Sequence, residues 1–309
     1  MANLTLNQVV AGYELAAHAR KLSEHTILDY LGTFSKFSRF LEDDPDFKSI
    51  TIEQVREFLA SQTTVSKKTI LNYHTGLSAL WTWAVKEKLA DFNPLENVKR
   101  PRPEQRVIEP FTEQQIRLML NSASQSKVYS RPGKKPCTNT QPDAIRNRAI
   151  ILLLLDTGIR AQELCDLRIR DVDLREQFIK PFGKMSKERI IPISARTAQS
   201  IWKYLASERK DALVDKPLFV TGNNHPLQRD QLYKRLKSLA DRCGIQDVHP
   251  HRFRHTFAIN YLRNGGDIYT LQKILGHTTL DMVKNYLAIA ETDIFTAHRR
   301  ASPVDQWCL

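Results

Sequence analysis

The chain has few cysteines and no close pair of them. Cys137, Cys165, Cys243 and Cys308 are scattered, with no Cys-x-x-Cys among them. That argues against a zinc ribbon and against a disulfide scaffold, and a reducing cytoplasm fits. Long apolar runs are also missing. The most apolar stretch, Ala149 to Leu155, falls well short of the ~18 residues a membrane span needs. The N-terminus, Met-Ala-Asn-Leu-Thr-Leu, lacks a basic segment followed by an apolar one, so no export signal is expected. No internal repeat or low-complexity segment is present. Acidic residues are in deficit: 34 Asp and Glu against 46 Lys and Arg leave a formal charge of +12. Such a surplus favours an anionic partner, nucleic acid first and an acidic membrane second. Taken alone, it is equally consistent with solvated surface charge.

What is present points to two domains, since a single core commonly stops growing near ~250 residues and the chain has 309. Residues 6 to 19 have apolar groups at helical spacing. Ser23 has the form of an N-cap ahead of Ile27, Leu31, Phe34, Phe37 and Leu41. Thr51 and Gln54 have capping-box form, and Lys67 to Lys88 is a long helix candidate. Residues 1–97 therefore read as an all-helical bundle whose exposed positions include Lys67, Lys68, Asn72 and His74. Three prolines disfavour regular structure across 98–110, a linker carrying Lys99, Arg100, Arg102 and Arg106. A second domain is expected over 111–290. It opens on the capping candidate Thr112 to Gln115, and a basic polar loop follows over 123–143. A buried helix should run from Asp143 to Asp156. The runs 177–181 and 189–193 flank Gly183-Lys184-Met185-Ser186-Lys187 and predict a β-hairpin with a basic tip. Helices are expected at 195–208, 227–242, 250–263, 267–275 and 279–288. A tail, amphipathic at first, occupies 291–309.

Residues 249 to 286 hold the densest set of reactive groups. The segment reads His-Pro-His-Arg-Phe-Arg-His-Thr, then an apolar helical run, then Leu275-Gly276-His277, and ends at Tyr286. His251 and Arg254 stand three apart, which in a helix puts both on one face. A cation, two imidazoles and a phenol in one segment suit a site that holds a phosphate and attacks it. Upstream, Thr157-Gly158-Ile159-Arg160 offers a second guanidinium. Guanidinium groups meet phosphate oxygens with paired planar donors. Clustered histidines invite a zinc reading, but no His-Glu-x-x-His or cysteine partner accompanies them, and Arg254 would sit badly beside a cation. No metal is expected. Singly, each residue has an ordinary explanation in core packing, ion pairing or surface charge.

In order, Gly-Ile-Arg160, Gly183-Lys184, His251-x-x-Arg254-His255, Leu-Gly-His277 and Tyr286 resemble the catalytic constellation of the tyrosine recombinases, also called phage integrases. The motifs are short, but their joint order makes the resemblance specific. It is strongest from Phe111 to Tyr286 and rests on helix pattern alone before Lys99. The resemblance implies a mainly α fold: an N-terminal helical core-binding (SAM-like) bundle, then an α+β catalytic domain with a small antiparallel sheet. It implies Tyr286 as nucleophile, Arg160 and Arg254 as the phosphate clamp, and His277 as a further phosphate donor. His251 would be proton acceptor or phosphate ligand. Lys184 resembles the general acid, with Lys187 its rival on the same tip. Glu163 would orient Arg160 or its helix, and His255 would support the site. Nearby cations should lower the Tyr286 pKa by favouring phenolate.

The implied partner is double-stranded DNA with inverted-repeat core sites, gripped in part by Lys67, Lys68, Asn72, His74, Lys99, Arg100, Arg102 and Lys187. A tetramer on DNA, an excisionase or accessory DNA-bending protein, a cytoplasmic, nucleoid-associated location and no cofactor are implied as well. The 291–309 tail would dock between subunits. The long 123–143 loop and the tail point to a mobile-element integrase. The competing functions are a host-type dimer resolvase, a type IB topoisomerase, a DNA-binding regulator without catalysis and a metal-dependent nuclease.

Overall fold

Hydroxyl side chains start each of the first four helices. In the computed structural model, which describes residues 4–102, 108–124, 143–182 and 189–277 together with Thr279, Leu280, Val283, Tyr286, His298, Ser302 and Val304, Thr5 caps α1 (Leu6–Ala19). Ser23 caps α2 (Glu24–Phe40), Thr51 caps α3 (Ile52–Ser61) and Ser66 caps α4 (Lys67–Lys86). Each hydroxyl accepts a hydrogen bond from the backbone N–H three residues on, satisfying one of the four donors a helix start leaves open. The chain divides into two units, residues 1–107 and 108–309.

In the first unit the apolar stripes of α1, α2, α3 and α4 enclose a core rich in rings. Phe47 stacks on Trp81 at 4.8 Å between centroids, and Phe37 meets Phe58 edge-on at 5.1 Å. Such pairs add about 0.5–1.5 kcal/mol each beyond the area they bury. A short 3₁₀ turn, Pro94–Asn97, closes the unit, and its Leu95 N–H donates to the Asn93 side chain. His74 corrects the expectation of an exposed DNA contact. It is 1% exposed, and its Nε2–H donates to the Val98 carbonyl at 3.0 Å. That bond ties the start of the linker to α4. Lys67, Lys68, Asn72, Lys99, Arg100 and Arg102 are exposed as expected.

The second unit is built around α6 (Ala144–Thr157), which is apolar on nearly every side because helices surround it. Its neighbours are α5 (Glu113–Ser124), α8 (Ala195–Glu208) and α10 (Pro250–Arg263). Short α7 (Ala161–Asp166) follows α6, while α9 (Arg229–Asp241) and α11 (Ile268–Leu275) complete the described helices. A small antiparallel sheet has the order β1 (Val172–Asp173), β2 (Phe178–Ile179), β3 (Ile191–Pro192). Val172 pairs with Ile179, and Ile179 with Ile191, so one apolar row faces the core. The hairpin is where the sequence pattern places it. Strand β1 and helix α7 are additions, too short to show a period. Most of the 123–143 loop, the hairpin tip 183–188, most of 278–288 and most of the tail lie outside the described residues.

Candidate active site

Local backbone geometry brings Arg160 into place. Helix α6 ends at Gly158, which lies in the left-handed region at φ +59. A Cβ there would lie 2.7 Å from Phe257 Cδ1, so glycine is required by both conformation and space. The chain then turns extended, and Arg160 becomes the residue ahead of α7. Glu163, one turn later and 6% exposed, folds back on it. Its Oε2 accepts from the Arg160 backbone N–H at 3.0 Å, and its Oε1 accepts from Arg160 Nη1 at 2.8 Å.

The second anchor is the C-terminal end of α11. The last carbonyls of a helix lack intrahelical partners and carry partial negative charge. Here three guanidinium groups serve them. Arg189 Nε donates to Ile274 O at 2.9 Å, Arg254 Nη2 to Leu275 O at 2.7 Å, and Arg160 Nη2 to Gly276 O at 2.9 Å. Arg254, on α10 and 3% exposed, also donates to Gly158 O at 2.8 Å. Gly276 closes α11 at φ +62, again left-handed. Arg189 completes the cluster with a bidentate pair to Glu163 at 2.9 and 2.7 Å.

Imidazoles and the phenol line the same place. Arg254 Nη2 lies 2.6 Å from His277 Nε2. Arginine has no acceptor, so Nε2 must accept, and neutral His277 carries its proton on Nδ1. Among the described residues that Nδ1 is buried without a hydrogen-bond partner, as is His255 Nδ1. The His255 ring sits 4.6 Å from His251 and 5.0 Å from Tyr286, and His277 lies parallel to Tyr286 at 6.5 Å. Tyr286 is 4% exposed and packs with Ala258, Ile259, Leu262 and Leu271.

The electrostatics follow from burial among cations. Burial, then Arg254 and Arg160, push the His277 pKa down to about 4. Burial and the neighbouring His251 take His255 to about 4. His251 is also lowered, by burial first and then Arg254. All three rings favour the neutral form. Burial and the Arg160 charge bring Arg254 down to about 10, so it keeps its charge. Glu163 would be raised by burial, but the Arg189 hydrogen bonds and charge, followed by the Arg160 bonds, hold it below the ordinary carboxylate range. Tyr286 departs from expectation. Burial raises its pKa, and the charge and hydrogen bond of Arg254 offset this only in part. Desolvation outweighs the cations here, and the phenol keeps its proton.

Arg160, Glu163, His251, Arg254, His255, His277 and Tyr286 are thus brought together. Lys184 and Lys187 lie outside the described residues. Arg189 is the residue that sequence reasoning missed. It follows Lys184, Lys187 and Glu188 and opens an apolar run, so nothing local marks it as buried. Among the described residues no three His, Cys, Asp or Glu side chains are grouped to hold a metal, and no helix is long and apolar enough to cross a membrane.

Among the described residues three guanidiniums meet one carboxylate here, a surplus that suits an anion, and a phenol stands beside it. These are the parts of a phosphate-ester site built on a helical domain. The chain belongs to the phage integrase family: the family's pattern matches residues 111–293, and that of its N-terminal SAM-like domain matches residues 11–91. It is a tyrosine site-specific recombinase, an enzyme that breaks and rejoins DNA. It is 28% identical to the tyrosine recombinase XerD of Halalkalibacterium halodurans, over 88% of this chain and 90% of that one. It is 27% identical to XerC of Bacillus subtilis, over 88% of each. The fold is also that of the Tn1549 transposon integrase in complex with transposon right end DNA, with a TM-score of 0.76 at 19% identity, covering 99% of this chain and 100% of that one. The XerH recombinase bound to its palindromic difH substrate gives a TM-score of 0.71 at 21% identity, covering 96% and 84%.

Proposed function

We propose that this recombinase cuts DNA by attack of Tyr286 Oη on a backbone phosphorus. The P–O bond to the 5′ oxygen breaks, and a 3′-phosphotyrosine forms. Dividing the reaction this way retains the bond energy, so no cofactor is required. Arg160 and Arg254 hold the non-bridging oxygens, where charge grows in the transition state. His277 adds a donor. His251, neutral near pH 7, takes the phenol proton or binds the phosphate, and Lys184 returns a proton to the leaving 5′ oxygen, with Lys187 the alternative. Glu163 orients Arg160, and His255 supports His251 and Tyr286. Attack by the partner strand's 5′-hydroxyl reverses the step, and two rounds pass through a Holliday junction.

The observation that carries this assignment is Arg254, which shares the α11 end with Arg160 and whose charge acts on the phenol of Tyr286. Its donors rest on the Gly158 and Leu275 carbonyls and on His277 Nε2, partners that an arriving phosphate can replace. Once a phosphate enters, it draws both guanidiniums and leaves the phenol beside a bound anion that it can attack.

The partner is double-stranded DNA with inverted-repeat core sites. Residues 1–97 grip it through Lys67, Lys68 and Asn72. The 98–110 linker tracks the backbone through Lys99, Arg100 and Arg102, and 111–290 supplies catalysis. Residues 291–309 dock on a neighbouring subunit in a tetramer. An excisionase or DNA-bending protein sets direction. The role is integration and excision of a mobile element in the nucleoid. Its rivals are dimer resolution of the host type and supercoil relaxation of the topoisomerase type.

The test is Tyr286→Phe on a nicked suicide substrate. Covalent adduct should vanish while the gel shift on the core site remains. An adduct formed by the Phe variant would remove Tyr286 as nucleophile. In cells, an excised circle that re-enters a fresh target supports the mobile-element role; resolution of dimers without integration supports the rival.

A further inference from the structure

We propose that Arg189 is a positioning residue that keeps Arg160 available to phosphate by occupying the Glu163 carboxylate. The inference rests on Arg160 serving as part of the phosphate clamp. Glu163 has two oxygens, and Arg189 bonds both. Oε1 is shared between Arg189 Nη1 at 2.9 Å and Arg160 Nη1 at 2.8 Å. Oε2 is shared between Arg189 Nη2 at 2.7 Å and the Arg160 backbone N–H at 3.0 Å. The Arg189 side chain is 14% exposed and that of Glu163 7%, so their pair forms largely out of water. The Arg160 side chain is 40% exposed, open to a ligand.

A carboxylate facing one guanidinium neutralises it. Facing two, it leaves a net positive charge, and the more exposed guanidinium presents it. Arg189 is held for this task from two further sides. Its Nε donates to Ile274 O, and Gly276 packs so close that a Cβ would sit 3.1 Å from the guanidinium carbon. The cluster therefore has a division of labour. Arg189 faces inward and balances Glu163. Arg160 faces outward, with one edge on Glu163 and Gly276 O. Without Arg189, Glu163 would close on Arg160, its remaining partner among the described residues, and draw charge away from the phosphate.

Glu163 faces Arg160 and Arg189 directly, and its charge also reaches Arg254. Loss of Arg189 removes the largest influence lowering the Glu163 pKa, so the carboxyl should take up a proton at higher pH than before. The defect of the variant should then be greatest where Glu163 is charged and should shrink as pH falls.

The experiment measures single-turnover cleavage of a suicide substrate by wild type, Arg189→Gln, and Glu163→Gln/Arg189→Gln, across pH, with thermal melts and gel shifts alongside. Arg189→Gln should slow cleavage about 10²-fold, the cost of misplacing a reacting-site group by about 1 Å. The double variant should regain about tenfold over Arg189→Gln, the non-additivity expected of coupled neighbours. The ratio of Arg189→Gln to wild type should rise as pH falls. Absence of rescue together with a pH-independent ratio would show that Arg189 does not act through Glu163. If Arg189→Gln fails to fold, Arg189→Lys takes its place: a partial defect with the same pH trend is expected, and wild-type rates throughout overturn the proposal. Failure of the wild type to form any adduct would instead remove the clamp on which the inference rests. A wild type that cleaves beside an equally active Arg189→Gln removes the role of Arg189 alone.

Discussion

The two units bury different kinds of side chain. Among the described residues, the buried polar side chains of the first unit are Thr33, His74 and Asn93, set in an aromatic and aliphatic core. The second unit buries Arg146, Arg209, Arg252, Arg254 and Glu163. Burying a charge costs several kcal/mol unless its donors are met. Backbone carbonyls meet part of the need here, Val220 O for Arg146, Pro217 O for Arg209, Glu109 O and Gln246 O for Arg252, and the Asp143 carboxylate and Asn224 side chain meet more for Arg146 and Arg209. These arginines act as struts between chain segments. Arg252 also lies 4.2 Å over the Phe111 ring. What sets Arg254 apart is its company of Arg160, His277 and Tyr286, where among the described residues Glu163 is the carboxylate of the cluster. A buried arginine alone therefore does not mark a reactive site. A group of them that outnumbers its carboxylates, around a phenol, does.

The sharpest way to break this comparison is to remove one arginine of each kind. Arg254→Ala should lower single-turnover cleavage by about 10²–10³, the usual cost of removing a charge-stabilising donor. Arg252→Ala should instead lower the melting temperature, since each charged hydrogen bond contributes about 1.5–3 kcal/mol. Its cleavage by the folded fraction should stay near wild type. Equal cleavage losses in the two variants would erase the distinction.

Glycines test the same contrast at the backbone. Gly158→Ala forces a side chain into left-handed backbone against Phe257 and moves a carbonyl that Arg254 uses. It should destabilise by more than about 1 kcal/mol and impair cleavage. Gly12→Ala lies inside α1, with only the outer edge of the Trp83 ring at 3.0 Å. Helix propensity favours that change, so stability should stay within about 1 kcal/mol of wild type. Urea melts with cleavage assays compare the two.

Acid should weaken the second unit through its histidines. His255 and His277 have folded pKa values of about 4. The unfolded value is about 6.5, so between the two the unfolded chain binds protons that the folded chain refuses. Stability is therefore complete above about pH 6.5 and falls as pH drops toward 4, by at most about 1.4 kcal/mol per pH unit per ring and less where solvent screens it. Melts at pH 7 and pH 5 should show the loss, and His255→Phe should reduce it. An unchanged slope in that variant would contradict the assignment.

The smallest effect concerns the first unit. Lys67→Ala with Lys68→Ala should weaken DNA binding across all sequences and flatten the log K against log salt slope by about 0.9 for each phosphate no longer neutralised. His74→Ala should leave that slope alone and lower the melting temperature, because the ring holds Val98 and not DNA. A salt slope altered by His74→Ala and untouched by the lysines would reverse these assignments.

Short-range features are legible in the order of residues alone. Ser23 and Thr51 cap their helices, as their spacing predicts, through bonds to residues three positions away, and α1 and α10 begin and end at the positions expected of them. The ordered set from Arg160 to Tyr286 is likewise visible, because the chemistry calls for particular residue types in a known order. Three things are decided only in the fold. His74 stands four residues after Ile70 and three before Leu77, on the stripe that α4 buries, but the carbonyl that satisfies its ring belongs to Val98, 24 positions later. Arg189 stands among other charged residues, and its partner Glu163 is reached only when the hairpin closes, 26 positions back. The Tyr286 pKa moves upward because the unit buries the ring, an effect that no roll of neighbouring charges contains. Caps and periods are set by residues within one turn of each other. Desolvation and the sharing of a carboxylate depend on segments far apart in the chain, so only their packing decides which charges stay free to meet a phosphate.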